Sequence, residues 1–594
     1  MLLSFFLSAS LLGAAVPDSL EASKVVADRG LVVSRTDTVR VNPLQDVSST
    51  LLQLPGLYVG DYGSLSGLKS VSLRGLGSAH TAIYVDGVRV GNIQSGQADL
   101  GMLDFPSLGS VVADYAQNSL HFLTARPVFR GRPVAGEVRL EAGSFGTWQP
   151  YGRLSFKLGE RWSLSANAGG VITKGNFPLE DGSLRANNDM KQLRAGVDLF
   201  GLLDGGDFHA KAYYNGAERG TPGSLSWPST DRQKDRNAFG QFLLRKAFGD
   251  VYTLHLSGKT SFDRLQYLSE WGNDLYEQTE VQINSVHKFR IKPWWEVSLT
   301  ADAALDGLSS TQYNGVRVSA LGAVATAFRF ARFQADAALE YAAVKDVHGA
   351  YWGSLSPSLD LRLKLVEGLD VVAFGRRAYR TPTFNELYYP GYGNPDLKPE
   401  DAWLADAGLD FCRKLGAWTL KARADGYYNY LTNKIISAPS VGDPNVWLPF
   451  NVGKVQAFGA DVMAGFDFVR GNWAASFTGR YGWQKAVDKT PDSYTFDQQI
   501  PYVARHTAFL QGSLAYRGWT LGAQWNLRAG RVDASGNMPD WNTLDVNFHK
   551  DFPIGSTLLG VFVSARNLLN KRYDIVSGYP MPGRNFSGGA SFRF

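Results

Sequence analysis

The chain has 594 residues, including 64 glycines, 13% aromatic residues and one cysteine, Cys412. Its 60 basic and 55 acidic residues leave a net charge of +5 without any run of Lys or Arg, which argues against a nucleic-acid partner. A lone cysteine excludes an internal disulfide, and abundant glycine and aromatics suit an all-β chain of many strands and turns.

Leu2–Val16 is uncharged and apolar. It is shorter than the roughly 20 residues of a spanning helix but suits the core of a signal peptide. Gly13 and Ala15 place cleavage after Ala15, so residues 1–15 are expected to be a signal peptide; with no basic residue before the apolar run, the start could lie upstream. No later segment has the apolar length of a spanning helix, so a membrane location requires a closed barrel. Residues 16–41 follow as an N-terminal segment with two extended stretches, Lys24–Val33 (with Leu31, Val32 and Val33) and Asp37–Val41 (with Asp37, Thr38 and Val39).

Three phrases come next: Leu54-Pro55-Gly56, Arg74-Gly75 and Ile83-Tyr84-Val85-Asp86-Gly87-Val88. Each alone marks only a turn between apolar runs. In this order they resemble the plug domain of TonB-dependent outer-membrane receptors, which implies a plug over residues 42–134. One expected phrase is missing. Where such plugs carry an Arg-Gly-Pro phrase before the barrel, this chain has Val111-Val112-Ala113-Asp114-Tyr115-Ala116-Gln117-Asn118, which puts the plug's last strands and its seating in doubt. The family's energy-coupling box pairs with a TonB-type protein by strand addition. Both upstream stretches are candidates for it, and either could equally be the first plug strand.

Residues 135–594 alternate apolar and polar positions, as in Glu137–Ala142 and Lys421–Tyr427. Such alternation fits a soluble sandwich or a lipid-facing barrel equally well. Length favours the barrel, since a single soluble domain rarely grows to 460 residues. About 22 strands would take about 21 residues each with their connections, enough for a tilted spanning strand of roughly 10 residues. The fold class expected is therefore all-β, a transmembrane antiparallel barrel of about 22 strands with an N-terminal plug in its lumen. Short turns at Leu203–Asp207 and Val366–Asp370 read as periplasmic. The stretches 174–191, 217–237, 379–401 and 485–499 read as outer loops.

Tyr379-Arg380-Thr381-Pro382-Thr383-Phe384-Asn385-Glu386-Leu387 and Asn394-Pro395-Asp396-Leu397 look like paired boxes of the same family, and Ala565–Arg584 with terminal Phe594 is similar to its last hairpin. The resemblance implies active, TonB-dependent uptake of a scarce compact ligand across the outer membrane of a Gram-negative cell. The partners implied are a TonB-type energy-transducing protein, outer-membrane lipid and a small ligand, with a surface lipoprotein as a further candidate. The plug most resembles that of cobalamin receptors, so cobalamin or a related corrinoid is the ligand expected. A ferric siderophore is the alternative. Haem follows, lowered because no histidine lies between Thr383 and Gly393, and then a passive porin without a plug. The ligand-binding residues implied are Asp61, Tyr62, Gly63 and Ser64, then Asn92, Ile93, Gln94, Ser95 and Gln97, with Tyr388, Tyr389 and Tyr392 from the barrel.

No enzyme is expected. The eight histidines are scattered, with no metal-binding pair, and no nucleophile elbow appears. No cofactor is expected, except that Glu180, Asp181 and Asp189 offer hard oxygen ligands for calcium in one outer loop. Their spacing fits a solvated acidic loop better than any known calcium loop.

Overall fold

The computed structural model describes residues 35–594 except 43–44, 64, 440–446, 494 and 534. The first element, β1 (Thr36–Arg40), is followed by a helical turn, Val47–Leu51, and then by β2 (Leu57–Asp61), β3 (Lys69–Leu73), β4 (Ala82–Val85), β5 (Val88–Val90), β6 (Leu108–Asp114) and β7 (Ser119–Thr124). Five of these strands form one sheet in the order β1-β6-β7-β4-β5, and β2 pairs with β3. Leu51, Leu54, Leu73, Leu76, Val111, Leu120 and Phe122 are each at most 2% exposed and make the plug core.

The first and third of the sequence phrases have local physical reasons. Asp46 caps the Val47–Leu51 turn by accepting from Ser49 N at 2.7 Å, and Gly56, with φ +61°, turns the chain into β2. Asp86 and Gly87 both have positive φ between paired Val85 and Val88, as a two-residue primed hairpin requires. The Asp86 carboxylate then ties that hairpin to β7, accepting from Thr124 N and Oγ1 at 2.7 Å each. The segment lacking Arg-Gly-Pro still builds an antiparallel β6–β7 pair, with Asn118 at φ +51° in the turn. The doubt about the last plug strands is thereby corrected.

The remaining chain closes an antiparallel barrel of 22 strands, opening with Val134–Gly143 and ending with Asn585–Arg593. These two strands pair with each other, and Phe594 exchanges backbone hydrogen bonds with Gly136 at 2.9 and 3.0 Å. Alternation sorts the faces. Along Trp519–Ala529, Gln524, Asn526 and Arg528 are buried toward the lumen, while Leu521 is 48% exposed on the outside. Aromatic pairs such as Trp473–Tyr516, Trp418–Phe468 and Trp294–Phe330 cluster beside the short turns, as an interfacial girdle does. The turns at 204–205 and 367–368 are two residues long. Opposite them the strands run further than expected: Ala217–Gly220 and Arg232–Asn237, expected in a loop, are paired strand. Polar residues at these strand ends satisfy one another across the ladder, as Asn215 does with Asn237 at 2.9 Å.

Candidate ligand site and plug seating

The plug is locked to one wall by buried charges. Arg74 donates to Asp406 at 2.7 Å and Asp425 at 2.5 Å, and its guanidinium lies 4.3 and 4.2 Å from the ring centres of Tyr115 and Tyr427. Arg35 reaches Asp410 and Asp425, while Asp37 pairs with Arg423 at 2.6 Å. Burial alone would raise the Asp37 carboxyl, but Arg423, Arg480 and Arg35 outweigh it and hold it below its ordinary range. Burial likewise opposes the charge on Arg74, and the Asp406, Asp425 and Asp461 carboxylates overcome it.

Asp37, Thr38 and Val39 therefore belong to the plug's edge strand, each paired with β6, and Asp37 is pinned to the barrel. Of the two roles weighed for these residues, the structure places them in the plug sheet. Leu31, Val32 and Val33 lie outside the described residues.

On a second side, the plug loop after β5 is bound to the barrel. Asn92 folds the loop by accepting from Ser95 N at 2.9 Å, and Ile93 N donates to Gln278 at 3.0 Å. The carbonyls of Ile93 and Gln94 accept the Phe384 and Asn385 amides at 3.2 and 3.0 Å. These are the first amides of the helical turn Phe384–Tyr388, so the plug loop caps it. Thr383 and Glu386 complete a reciprocal capping box at that end. Gly96, at φ +71°, leaves no room for a Cβ, which would stand 2.6 Å from Thr383 Cγ2.

The same turn is wired to the barrel and back to the plug. Glu386 pairs with Arg380, Arg380 with Glu400, and Glu400 with His80 of the plug. Tyr388 donates to Asp346 at 2.6 Å, where Arg317 binds in a fork at 2.6 and 2.9 Å. Tyr313 donates to Asn385 and packs edge-on against Tyr389, and Tyr392 bonds Ser437. The expected residues Asn92–Gln97 and Tyr388–Tyr392 are thus brought to one junction. Gln94 is buried there, Ser95 is exposed, and Asn92, Ile93 and Gln97 are half-buried.

Asp61, Tyr62 and Gly63 lie elsewhere. Asp61 is buried, accepting from Ser48 at 2.9 Å and Gly63 N at 3.2 Å, so its carboxylate holds the plug together and does not line the vestibule, which corrects the expectation. Tyr62 meets Tyr579 edge-on at 5.1 Å, under the outer hairpin 574–580, and burial raises its hydroxyl pKa. Ser64 lies outside the described residues. Tyr58, Tyr502, Trp541, Tyr573, Tyr579 and Met581 gather around Tyr62. Sequence reasoning missed this cluster, although Tyr573 and Tyr579 stand inside the quoted C-terminal motif.

In the acidic outer loop, Asp189 is engaged by Arg232 at 2.8 and 2.9 Å, a hydrogen-bonded pair that lowers its pKa, and Asp181 accepts from Ser183. Glu180 does not join them in a ligand group. Among the described residues, the Asp86, Asp198 and His209 ligand atoms lie within 4.8 Å of one another. There the Lys211 ammonium stands 2.8 Å from Asp198 and 3.9 Å from Asp86, which makes this an ion-paired plug contact.

Residues 29–119 match the family described as TonB-dependent Receptor Plug Domain, and residues 140–568 match TonB dependent receptor-like, beta-barrel. Among curated proteins, the chain is 23% identical to a Vitamin B12 transporter BtuB of Photobacterium profundum, covering 93% of this chain and 90% of that one. It is 21% identical to the protein of the same name from Vibrio vulnificus, over 97% and 94%. Among solved structures, Copper transporter OprC superposes with a TM-score of 0.78 at 15% identity, covering 94% of this chain and all of that one. The ferric citrate transporter FecA superposes at 0.77 and 14%, over 98% and 99%. With a plug match, and a barrel match over more than half its length, the chain belongs to the TonB-dependent receptors, transporters of the outer membrane and not enzymes.

Proposed function

We propose that this receptor takes up a corrinoid, cobalamin or a close relative, by TonB-dependent transport. The supporting observation is likeness along the whole chain, plug included, to proteins named as vitamin B12 transporters. The plug loop Asn92–Gln97 and the tyrosines at 388–392 would form one wall of the binding vestibule. Tyr62 under the 574–580 hairpin would form the other. Amide and hydroxyl groups against aromatic faces suit a bulky ligand edged with amides.

The coupling peptide falls to residues 24–33, upstream of the strand pinned by Arg423. Calcium in the 180–189 loop would have to displace Arg232 from Asp189 and is not part of this reading. A ferric siderophore is the second reading, and buried arginines beside the tyrosine cluster give it specific support. Purified full-length protein in detergent, titrated with cyanocobalamin and with ferric siderophores, tests the assignment. Saturable cyanocobalamin binding is expected; siderophore binding alone would reverse the order.

A further inference from the structure

The outer rim holds a cluster of buried donors, two of which, Arg531 Nε and the Trp541 indole Nε1, have no acceptor among the described residues. Arg528, on the lumen face at the outer end of Trp519–Ala529, is 7% exposed, and its side-chain hydrogen bond goes to the carbonyl of its own neighbour, Leu527, at 2.9 Å. No carboxylate lies within 4.0 Å of it among the described residues. Arg531 is 3% exposed and close enough for its like charge to act on Arg528. Two of its nitrogens are fixed by the carbonyls of Asp574, Ile575 and Pro539, and among the described residues its Nε has no partner.

Trp541 faces Arg528 across the strand pair and lies 5.9 Å from the Arg531 guanidinium, and its indole Nε1 also has no partner among the described residues. Asp540 accepts from Gly530 N and Asp574 from Gly578 N; their charges offset part of the burial of Arg531, but among the described residues neither forms a salt bridge with it. Two buried guanidiniums with no salt-bridging carboxylate among the described residues, and an indole N–H without an acceptor, are costly to a fold. An anion placed among them would offset that cost. Tyr58 of the plug also feels the Arg531 charge, which sets the group at the junction of plug and barrel rim.

We propose that Arg528, Arg531 and the Trp541 indole form a subsite for an oxyanionic group of the transported ligand. This rests on the transport reading for its occupant. The chemistry is that of a phosphodiester, as cobalamin carries, or of a chelate's carboxylate. Arg531, already held by three carbonyls, orients the pair, and Arg528, which has no salt bridge among the described residues and donates to the Leu527 carbonyl, offers its guanidinium to the anion.

The test uses the full-length chain in detergent, with folding verified by heat-modifiable mobility. At fixed ionic strength and pH, replacing chloride with inorganic phosphate should raise the melting temperature of the wild type and not of Arg528→Gln. In chloride alone, Arg528→Gln should melt no lower than wild type, because it removes a like charge. No phosphate effect in the wild type, or a lower melting point for the variant in chloride, overturns the subsite.

The second arm identifies the source. Arg528→Gln should weaken cyanocobalamin binding about tenfold or more. It should leave dicyanocobinamide, which lacks the phosphodiester, nearly unchanged, and Arg528→Lys should recover part of the loss. If instead the variant loses phosphate stabilisation and ferric citrate binding, the subsite stands with a carboxylate occupant. A wild type that binds neither corrinoid while keeping its phosphate response removes the corrinoid reading and leaves the subsite intact.

Discussion

Arg74, from the second plug phrase, donates to Asp406 of the barrel at 2.7 Å with both side chains at most 5% exposed. A motif arginine thus finds its partner 332 residues away, and the positive φ of 48° at Arg74 aims it there. Removing Arg74 leaves Asp406 and Asp425 to share Arg35 and takes from Asp461 the guanidinium 3.6 Å away, in a medium that solvates charge poorly. Arg74→Ala should therefore destabilise the plug's seating by about 3–5 kcal/mol. Denaturant unfolding of purified protein should show it, together with greater leak of large antibiotics through the outer membrane. Unchanged stability and unchanged leak would mean that this contact does not hold the plug.

The Asp114 carboxyl, on β6, is pushed up to about 7 by burial, against a hydrogen bond from Gln117 N at 3.0 Å. The folded plug therefore keeps a proton that the unfolded chain releases near pH 4. Between those values the native state binds more protons, so stability falls as pH rises, by at most about 1.4 kcal/mol per unit, and levels off above pH 7. Asp37 acts in the opposite sense: its carboxyl is lowered, so its stabilising effect is lost as pH drops below its ordinary range. Asp114→Asn should flatten the decline between pH 4 and 7. Urea midpoints measured across that window in both proteins would reveal it, and parallel curves would show that Asp114 does not titrate there.

Coupling should divide sharply between two neighbouring positions. Val32→Pro, in the proposed coupling peptide, should abolish energised uptake and spare ligand binding, because strand addition needs a continuous backbone donor. Thr38→Pro should instead lower stability, since Thr38 is paired with Val112 in the plug sheet. Uptake assays beside melting curves separate the two effects. Full uptake in the Val32 variant would move the coupling peptide elsewhere.

The barrel was legible in the sequence because alternation and turn residues are local, and closing 22 strands needs little beyond them. The plug phrases were legible for the same reason: Asp86-Gly87 and Pro55-Gly56 are turn chemistry. What could not be read were partnerships between distant residues. Asp61 is expected from the sequence to touch the ligand, but Ser48, thirteen residues back, donates to its carboxylate inside the plug. Asp189 reads as part of a solvated acidic loop, with calcium as the lesser alternative, and the ladder brings Arg232 to it.

Gly96 offers the most direct probe of the vestibule. Its loop meets the 384–388 turn through backbone hydrogen bonds from Phe384 and Asn385, and those bonds need close approach. An added Cβ would stand 2.6 Å from Thr383 Cγ2, and φ +71° disfavours any side chain. Gly96→Ala should therefore cost roughly 1 kcal/mol in backbone strain and push the loop off the turn it caps. The turn retains the Thr383–Glu386 capping box, so the barrel should stay folded. Ligand affinity should fall several-fold, because one wall of the vestibule has moved relative to the plug. Thr383→Ser keeps the capping hydroxyl and removes the clashing methyl, so combining it with Gly96→Ala should restore part of the affinity. Binding titrations on the single and double variants decide the matter. Equal affinity in Gly96→Ala and wild type, with both folded, would exclude this loop from the site, and loss without rescue would place its effect in the strained backbone and not in the contact with Thr383.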